Sequence, residues 1–292
     1  MFIAPSRRVK AMRRAVRNLF VVVASALMAV TGSAATSTAA ISAPGPVPGL
    51  ASILPANGAV VGIAHPVVVT FTAPVSNRRA AERAIHVTSP SHTPGHYEWT
   101  NSNVVQWVPD GYWPPNTHVS VGVQALDDPE GPVDPAPAPV PAEPGTLTPA
   151  PVQPGGTREF ETGPGTRGVA SISAHTFTVS RNGEVLRTMP ASMGKPSRPT
   201  PIGNFNAMSK ERTVVMDSRT IGIPLNSSDG YLITAQYAVR VTSSGVYVHS
   251  APWSVNSQGY ANVSHGCINL SPDNAAWYFN QVNIGDPIDV VA

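Results

Sequence analysis

His249-Ser250-Ala251-Pro252-Trp253 and, after a short gap, Ser264-His265-Gly266-Cys267-Ile268-Asn269 are the stretches from which this 292-residue chain is best read. Cys267 is its only cysteine, so no intramolecular disulfide is available and stability must come from packed cores. A lone thiol is ordinarily a small buried hydrophobe. Two histidines around this one favour a nucleophile instead. An unperturbed thiol is only a few per cent thiolate at neutral pH, and a nearby imidazolium or converging backbone N–H groups would raise that fraction. His249 ends the alternating run Val246-Tyr247-Val248-His249 and is the expected base, because a strand fixes its distance from the sulfur. His265 is expected to shape the loop, or to assist an acyl oxygen from the side. Gly266 lets a substrate approach the backbone, and the N–H groups of Gly266 and Cys267 are expected to form an oxyanion hole. Asn269 can tie the loop down through its amide. Such a site performs acyl transfer: the thiolate attacks an amide carbonyl, and the thioester is captured by an amine or by water. One Cys and two His lack a fourth ligand and any zinc-like spacing, so neither a metal nor another cofactor is expected. The other histidines, His65, His86, His92, His96, His118 and His175, lie outside this region and read as surface or packing residues.

Around the motif the chain alternates and turns as β structure does. Ser271-Pro272 offers a helix N-cap followed by Pro at the first helical position, and Ala275, Ala276, Tyr278, Phe279 and Val282 give one short helix an apolar face. Pro287 to Val290 reads as a closing strand. Upstream, His175 to Ser180 and Glu184 to Met189 form a hairpin around Arg181-Asn182-Gly183. Pro199 to Gly203 is a rigid corner leading into a strand through Phe205. The expected catalytic unit therefore runs from residue 166 to 292.

Residues 50–163 show short alternating runs broken by Pro, Gly, Asn and Ser: 67–71, 84–87, 97–99, 104–108 and 119–123. This spacing argues for an all-β sandwich. With no cysteine pair it is immunoglobulin-like without the antibody bridge. Trp99, Trp107 and Trp113 are expected to pack in or at the edge of its core. Ten prolines between 127 and 156 exclude ladders and helices there and favour extended, polyproline-like chain. Residues 157–162 then look like one more strand, completing the sandwich after an insertion, with the boundary near Gly163-Pro164-Gly165.

At the front, six basic residues among the first 18 precede the apolar run 19–30 and the small residues 31–35. This is the layout of a secretory signal, 1–35, followed by a spacer, 36–49. The run falls short of the roughly 20 residues that cross a bilayer as a helix. No Asp, Glu, Lys or Arg occurs from Leu19 to Asn77, so an uncleaved N-terminal anchor stays open. Without the head, 13 basic residues face 17 acidic ones, a net charge near −4. No basic cluster marks the chain for nucleic acid.

The two quoted motifs closely resemble the catalytic signature of the L,D-transpeptidases, the YkuD-type domain, and the immunoglobulin-like module resembles that of mycobacterial and actinobacterial members. The resemblance covers most of the chain after its first 35 residues. It implies an exported enzyme of the periplasm or cell wall. Cys267 would attack the bond after the third residue of a peptidoglycan tetrapeptide stem, release D-Ala, and pass the acyl group to a diaminopimelate side-chain amine as a 3→3 crosslink. It further implies that His249 is the base and that Ser250 orients it through its backbone carbonyl. Tyr231 matches a lid tyrosine near the acyl oxygen, Met216 and Trp253 match pocket-lining positions, and Ser264 and Asn269 are counted as substrate-facing. Carbapenem-type β-lactams would be covalent inhibitors. One departure is Ile221 in Arg219-Thr220-Ile221-Gly222, where relatives often carry an aromatic residue on the lid. Three alternatives stand beside this. A sortase needs an arginine after the thiol, and no Arg or Lys follows Arg240. A papain-like protease places its Cys before its His, the reverse of this order. A non-catalytic wall-binding module would leave Cys267 idle, and the choice between amine and water, transpeptidase against carboxypeptidase, is open.

Overall fold

The computed structural model describes residues 48–126 and 156–292. The basic head, the apolar run 19–30 and almost all of the proline-rich segment lie outside them. Among the described residues no helix is long and apolar enough to cross a membrane.

The first β unit holds β1 (Leu50–Leu54), β2 (Ala59–Val61), β3 (Val67–Phe71), α1 (Arg78–Ala84), β4 (Ile85–Thr88), β5 (Gly95–Trp99), β6 (Val104–Pro109), β7 (His118–Val123) and β8 (Gly156–Thr162). They form two four-stranded sheets, β1-β3-β6-β5 and β2-β8-β7-β4, an immunoglobulin-like sandwich. Strict alternation in β3, β6 and β7 sends every second side chain inward. Val67, Val69, Phe71, Val105, Val119, Val121 and Phe160 fill the core, with Trp113 wedged between Trp107 and Phe160. Trp99 stacks on Phe71 at its margin. Strand β8, which follows the proline-rich segment, lies between β2 and β7. One expectation fails here. Ala84 ends a helix instead of beginning a strand, because Asn77 caps the Ala80 amide and starts a helical turn ahead of the β pattern.

The second unit contains β9 (Thr166–Ser171), β10 (Thr176–Arg181), β11 (Glu184–Pro190), β12 (Gly203–Asn206), β13 (Ser209–Asp217), β14 (Leu232–Arg240), β15 (Tyr247–Ser250), β16 (Ile268–Leu270), α2 (Pro272–Gln281) and β17 (Pro287–Val291). A five-stranded sheet, β11-β10-β9-β17-β12, accompanies a four-stranded one, β13-β14-β15-β16. Helix α2 starts as its sequence indicates: Ser271 accepts from the Asn274 amide and Pro272 takes the first turn. Its Ala275 and Tyr278 join Phe177, Met189, Met193, Val248, Ile268, Leu270 and Ile288 in one core, Tyr278 meeting Phe177 edge-on at 4.8 Å.

The two units are joined through backbone. Gly62 N–H donates to Ile284 O (2.7 Å) and Ala64 N–H to Gly285 O (2.9 Å). A side chain at Gly62 has no room, since a Cβ there would stand 1.9 Å from the Asp286 nitrogen. The buried Asp286 carboxylate accepts from Asn283 N–H and, at 3.4 Å, from Ile63 N–H.

Candidate active site

The site is built on the short parallel pair β15–β16. Val248 lies opposite Ile268 and His249 opposite Asn269. Side chains alternate along a strand, so Val248 and Ile268 point into the core while His249 and Asn269 share the other face. Cys267, two residues before Asn269, belongs to that same face. The cavity there encloses about 280 Å³ and is lined by His249, Trp253, Ser264, His265, Cys267 and Asn269 from this side, and by Met216, Tyr231 and Ile233 from the β13–β14 hairpin. Every residue singled out for catalysis or binding in the sequence lines it except Ser250 and Gly266.

His249 is 2% exposed, and its Nδ1 lies 2.8 Å from Ser250 O. A carbonyl only accepts, so Nδ1 carries the proton and the Nε2 lone pair is left free. Burial drives the imidazole down to about 4, a fall that the bond to Ser250 partly opposes. The thiol moves the other way. Burial pushes Cys267 up to about 11, partly offset by the backbone of Tyr247. The expected lowering of the thiol pKa is therefore not found: at neutral pH the resting pair is a neutral thiol and a neutral imidazole. The reason is desolvation, which disfavours both charged forms in a site walled by Met216, Ile233, Trp253 and Val263.

The Cys loop is held by Ser264, whose hydroxyl donates to Cys267 O (2.6 Å) and accepts from Gly266 N–H (3.1 Å). The Gly266 amide, expected to face an acyl oxygen, is thus occupied by Ser264 in this state. Gly266 sits at φ +122°, a backbone conformation that L side chains rarely adopt. Asn269 ties the site down as its position suggests: its Nδ2 donates to Ser254 Oγ (3.1 Å), which donates to Ala251 O and accepts from Gln258 Nε2. This knot fixes the turn after His249 and sets Trp253 with its ring centre 5.9 Å from the imidazole.

The hairpin side brings the aromatic partners. Tyr231 is fastened through its backbone to Ser218, both N–H to Oγ (3.0 Å) and O from N–H (2.9 Å). Its ring lies 5.0 Å from that of His265. Burial, then the nearby sulfur, raises the Tyr231 phenol, so it stays a hydrogen-bond donor. The His265 imidazole is lowered by burial and by Lys195 and is neutral, its Nε2 3.8 Å from Asp229. Ile221 closes a single 3₁₀ turn, Ser218–Ile221, that ends at left-handed Gly222; it is not among the cavity-lining residues.

Five participants escape sequence reasoning. Ile233 and Val263 line the cavity, Ser254 carries the knot under Asn269, and Thr200 donates to Gly266 O (2.8 Å) while accepting from Gly194 N–H. Ser192 exchanges backbone bonds with Asn269 across an isolated bridge. Only a contact between segments distant in sequence reveals them. Among the described residues no group of three His, Cys, Asp or Glu is placed to hold a metal ion.

A single thiol, a tautomer-fixed imidazole with a free lone pair, a phenol and an apolar cavity define a cysteine acyltransferase. Comparison with known proteins narrows this. Residues 165–290 match the L,D-transpeptidase catalytic domain family, and residues 20–128 match the bacterial Ig domain. Over 280 residues the chain is 68% identical to L,D-transpeptidase 1 of Mycobacterium tuberculosis, covering 96% of this chain and all of that one. The LD transpeptidase LdtMt1 in complex with imipenem superposes with a TM-score of 0.70 at 70% identity, over 84% of this chain and 100% of that one. L,D-transpeptidase 3 from M. tuberculosis, with a faropenem-derived adduct, gives 0.67 at 46% identity, over 84% and 98%. The chain belongs to the L,D-transpeptidase family, cysteine-dependent enzymes of peptidoglycan crosslinking.

Proposed function

We propose that Cys267 takes the acyl group of the third residue of a tetrapeptide donor stem and passes it to the side-chain amine of a diaminopimelate on a neighbouring stem. The observation that carries this is one cavity lined both by the Cys267 thiol, which rests against Gly245 O at 3.8 Å, and by an imidazole whose Nδ1 is committed to Ser250 O. As the sulfur attacks the carbonyl carbon, its proton passes to His249 Nε2. That proton then goes to the departing nitrogen, the C–N bond breaks, and D-Ala leaves with a thioester behind it. The acceptor amine attacks the thioester, His249 takes its proton, and the sulfur leaves as a thiol. General-base help of this kind is worth roughly 10²–10⁴-fold. The Tyr231 hydroxyl and the Cys267 amide supply hydrogen bonds to the acyl oxygen, His265 buttresses Tyr231, and Ser264, Asn269, Met216 and Trp253 shape the donor groove.

The same reading makes residues 166–292 the catalytic domain and 50–163 an immunoglobulin-like module, carrying the proline-rich insertion, that spaces the site from the membrane. The N-terminal segment directs export to the cell wall, by cleavage or as an anchor. Because relatives have been seen with imipenem and with a faropenem-derived adduct, carbapenem-type β-lactams should acylate Cys267 here too. Two measurements test the proposal. Intact mass after carbapenem exposure should show one adduct that is absent from Cys267→Ala; folded wild-type protein without an adduct would defeat it. Product analysis with purified stem peptides should show a 3→3 crosslinked dimer. Release of D-Ala with only a tripeptide product would instead identify a carboxypeptidase.

A further inference from the structure

The donor proposed above carries a full negative charge close to the reacting centre. Its terminal carboxylate carbon stands only about 3–4 Å from the carbonyl carbon under attack, a spacing set by covalent geometry. The cavity wall offers that charge no cation. Met216, Ile233, Trp253, Val263, Ser264 and Asn269 are uncharged, and both imidazoles are neutral because burial lowers them.

Positive charge is found instead on the turn from Gly194 to Thr200, and that turn is stapled to the Cys loop. Lys195 N–H donates to Ser264 O (2.9 Å), Gly194 N–H to Thr200 Oγ1 (2.9 Å), and Thr200 Oγ1 to Gly266 O (2.8 Å). The Arg198 amide closes the turn onto Lys195 O (2.8 Å). A Cβ on Gly194 would come within 2.2 Å of Arg198 O, so the turn tolerates no side chain there. The turn that carries two cations, Lys195 and Arg198, is thereby fastened to the loop that carries the nucleophile. Lys195 is spoken for, its Nζ being 2.6 Å from Asp229 Oδ1. Arg198 is exposed, pairs with no carboxylate among the described residues, and its charge is felt at Asp229, His265 and Tyr231. The other charges near Tyr231 cancel, since Asp217 is engaged by Arg219. Of the cations on this turn, Arg198 is the one without a carboxylate partner among the described residues.

We infer that Arg198 is a specificity-determining residue that receives the terminal carboxylate of the donor stem, while the Lys195–Asp229 pair keeps the turn in place beside the Cys loop. The inference rests on the proposed donor and adds its recognition. A guanidinium matches a carboxylate with two parallel N–H bonds. In this arrangement it also lowers the repulsion between the donor's anion and the sulfur as negative charge grows there.

The test compares two tetrapeptide donors, one ending in a free carboxylate and one in a carboxamide, each assayed for D-Ala or D-alaninamide release. For wild type, kcat/KM should favour the free acid by about tenfold, the scale of one charge-assisted contact. Arg198→Gln should raise KM for the acid donor by about that factor, leave kcat within roughly twofold, and leave the carboxamide unchanged. Arg198→Lys should recover part of the preference. Equal losses on both donors, or no loss on either, would overturn the assignment. If wild type released nothing from either donor although a carbapenem still labelled Cys267, the proposed donor itself would be wrong, and this inference with it.

Discussion

His249 and Asn269 stand opposite one another across the parallel β15–β16 ladder. That register puts Cys267 on the imidazole's side of the sheet and Ile268 in the core. A slip of one residue would turn Cys267 and Asn269 toward Val248 and the core and carry Ile268 and Leu270 out of it, so the chemistry depends on strand pairing as much as on residue identity.

Because the sulfur and the ring both start uncharged, the first prediction concerns pH. The ultraviolet absorbance of thiolate should be absent at neutrality and should rise only as pH approaches the thiol's value of about 11. Acylation should lose rate in acid as His249 protonates near pH 4, since only the neutral ring can accept a proton. His249→Gln should slow acylation by roughly 10²–10⁴-fold. Thiolate absorbance at pH 7, or a slowing below tenfold, would show that the pair works as a preformed ion pair or that His249 is not the base.

Ser264→Ala removes one hydroxyl that serves two backbone groups, Cys267 O and Gly266 N–H. Leaving such buried groups unpaired costs about 1–3 kcal/mol. Chemical denaturation should register that loss, and carbapenem acylation should slow with it. Unchanged acylation would mean the loop holds its shape without the serine.

Asp286 gives a stability prediction with an unusual sign. Burial lifts its carboxyl to about 6, so between pH 4 and 6 the folded protein keeps a proton that the unfolded chain has released. Stability from this group is therefore present at low pH and declines as pH rises through that window, by a total on the order of 3 kcal/mol. His249 acts oppositely: its folded value of about 4 lies below its unfolded one, so its contribution grows over the same range. Wild type should show a flattened profile, and Asp286→Asn should become more stable from pH 4 to 6. Parallel profiles for the two proteins would refute the role given to Asp286.

At Gly62→Ala the clash is with backbone that cannot swing away. The bonds from Gly62 and Ala64 to Ile284 and Gly285 should break, and the sandwich should part from the catalytic unit. Limited proteolysis should then cut near residues 163–165, and calorimetry should resolve two transitions where wild type should show one. A single unchanged transition would show that the junction can relax around the methyl group.

Much of this was legible in the chain. Ser271-Pro272 announced α2 because capping is local chemistry, and the alternation of β3, β6 and β7 announced the sandwich because one face of each strand is buried. The motif around Cys267 located the cavity. What could not be read is equally specific. The long hairpin β13–β14 shows no clean alternation, since no residue from Ser209 to Asp217 is fully buried, yet it supplies Met216, Tyr231 and Ile233. Ser254, Thr200 and Ser192 look like ordinary surface serines and threonines until folding brings them to Asn269, Gly266 and Val263. The protonation state of the pair was misread for a related reason: motif spacing records who the neighbours are but not how much water is removed from them.

The desolvated sulfur has a consequence beyond turnover. Outside the cytoplasm, where this chain is proposed to work, an ionised thiol would be prone to peroxides, stray disulfides and overoxidation, because the anion is the nucleophile that attacks those reagents. Held as S–H, Cys267 should be slow toward such oxidants and should react when a bound carbonyl and the His249 ring act on it together.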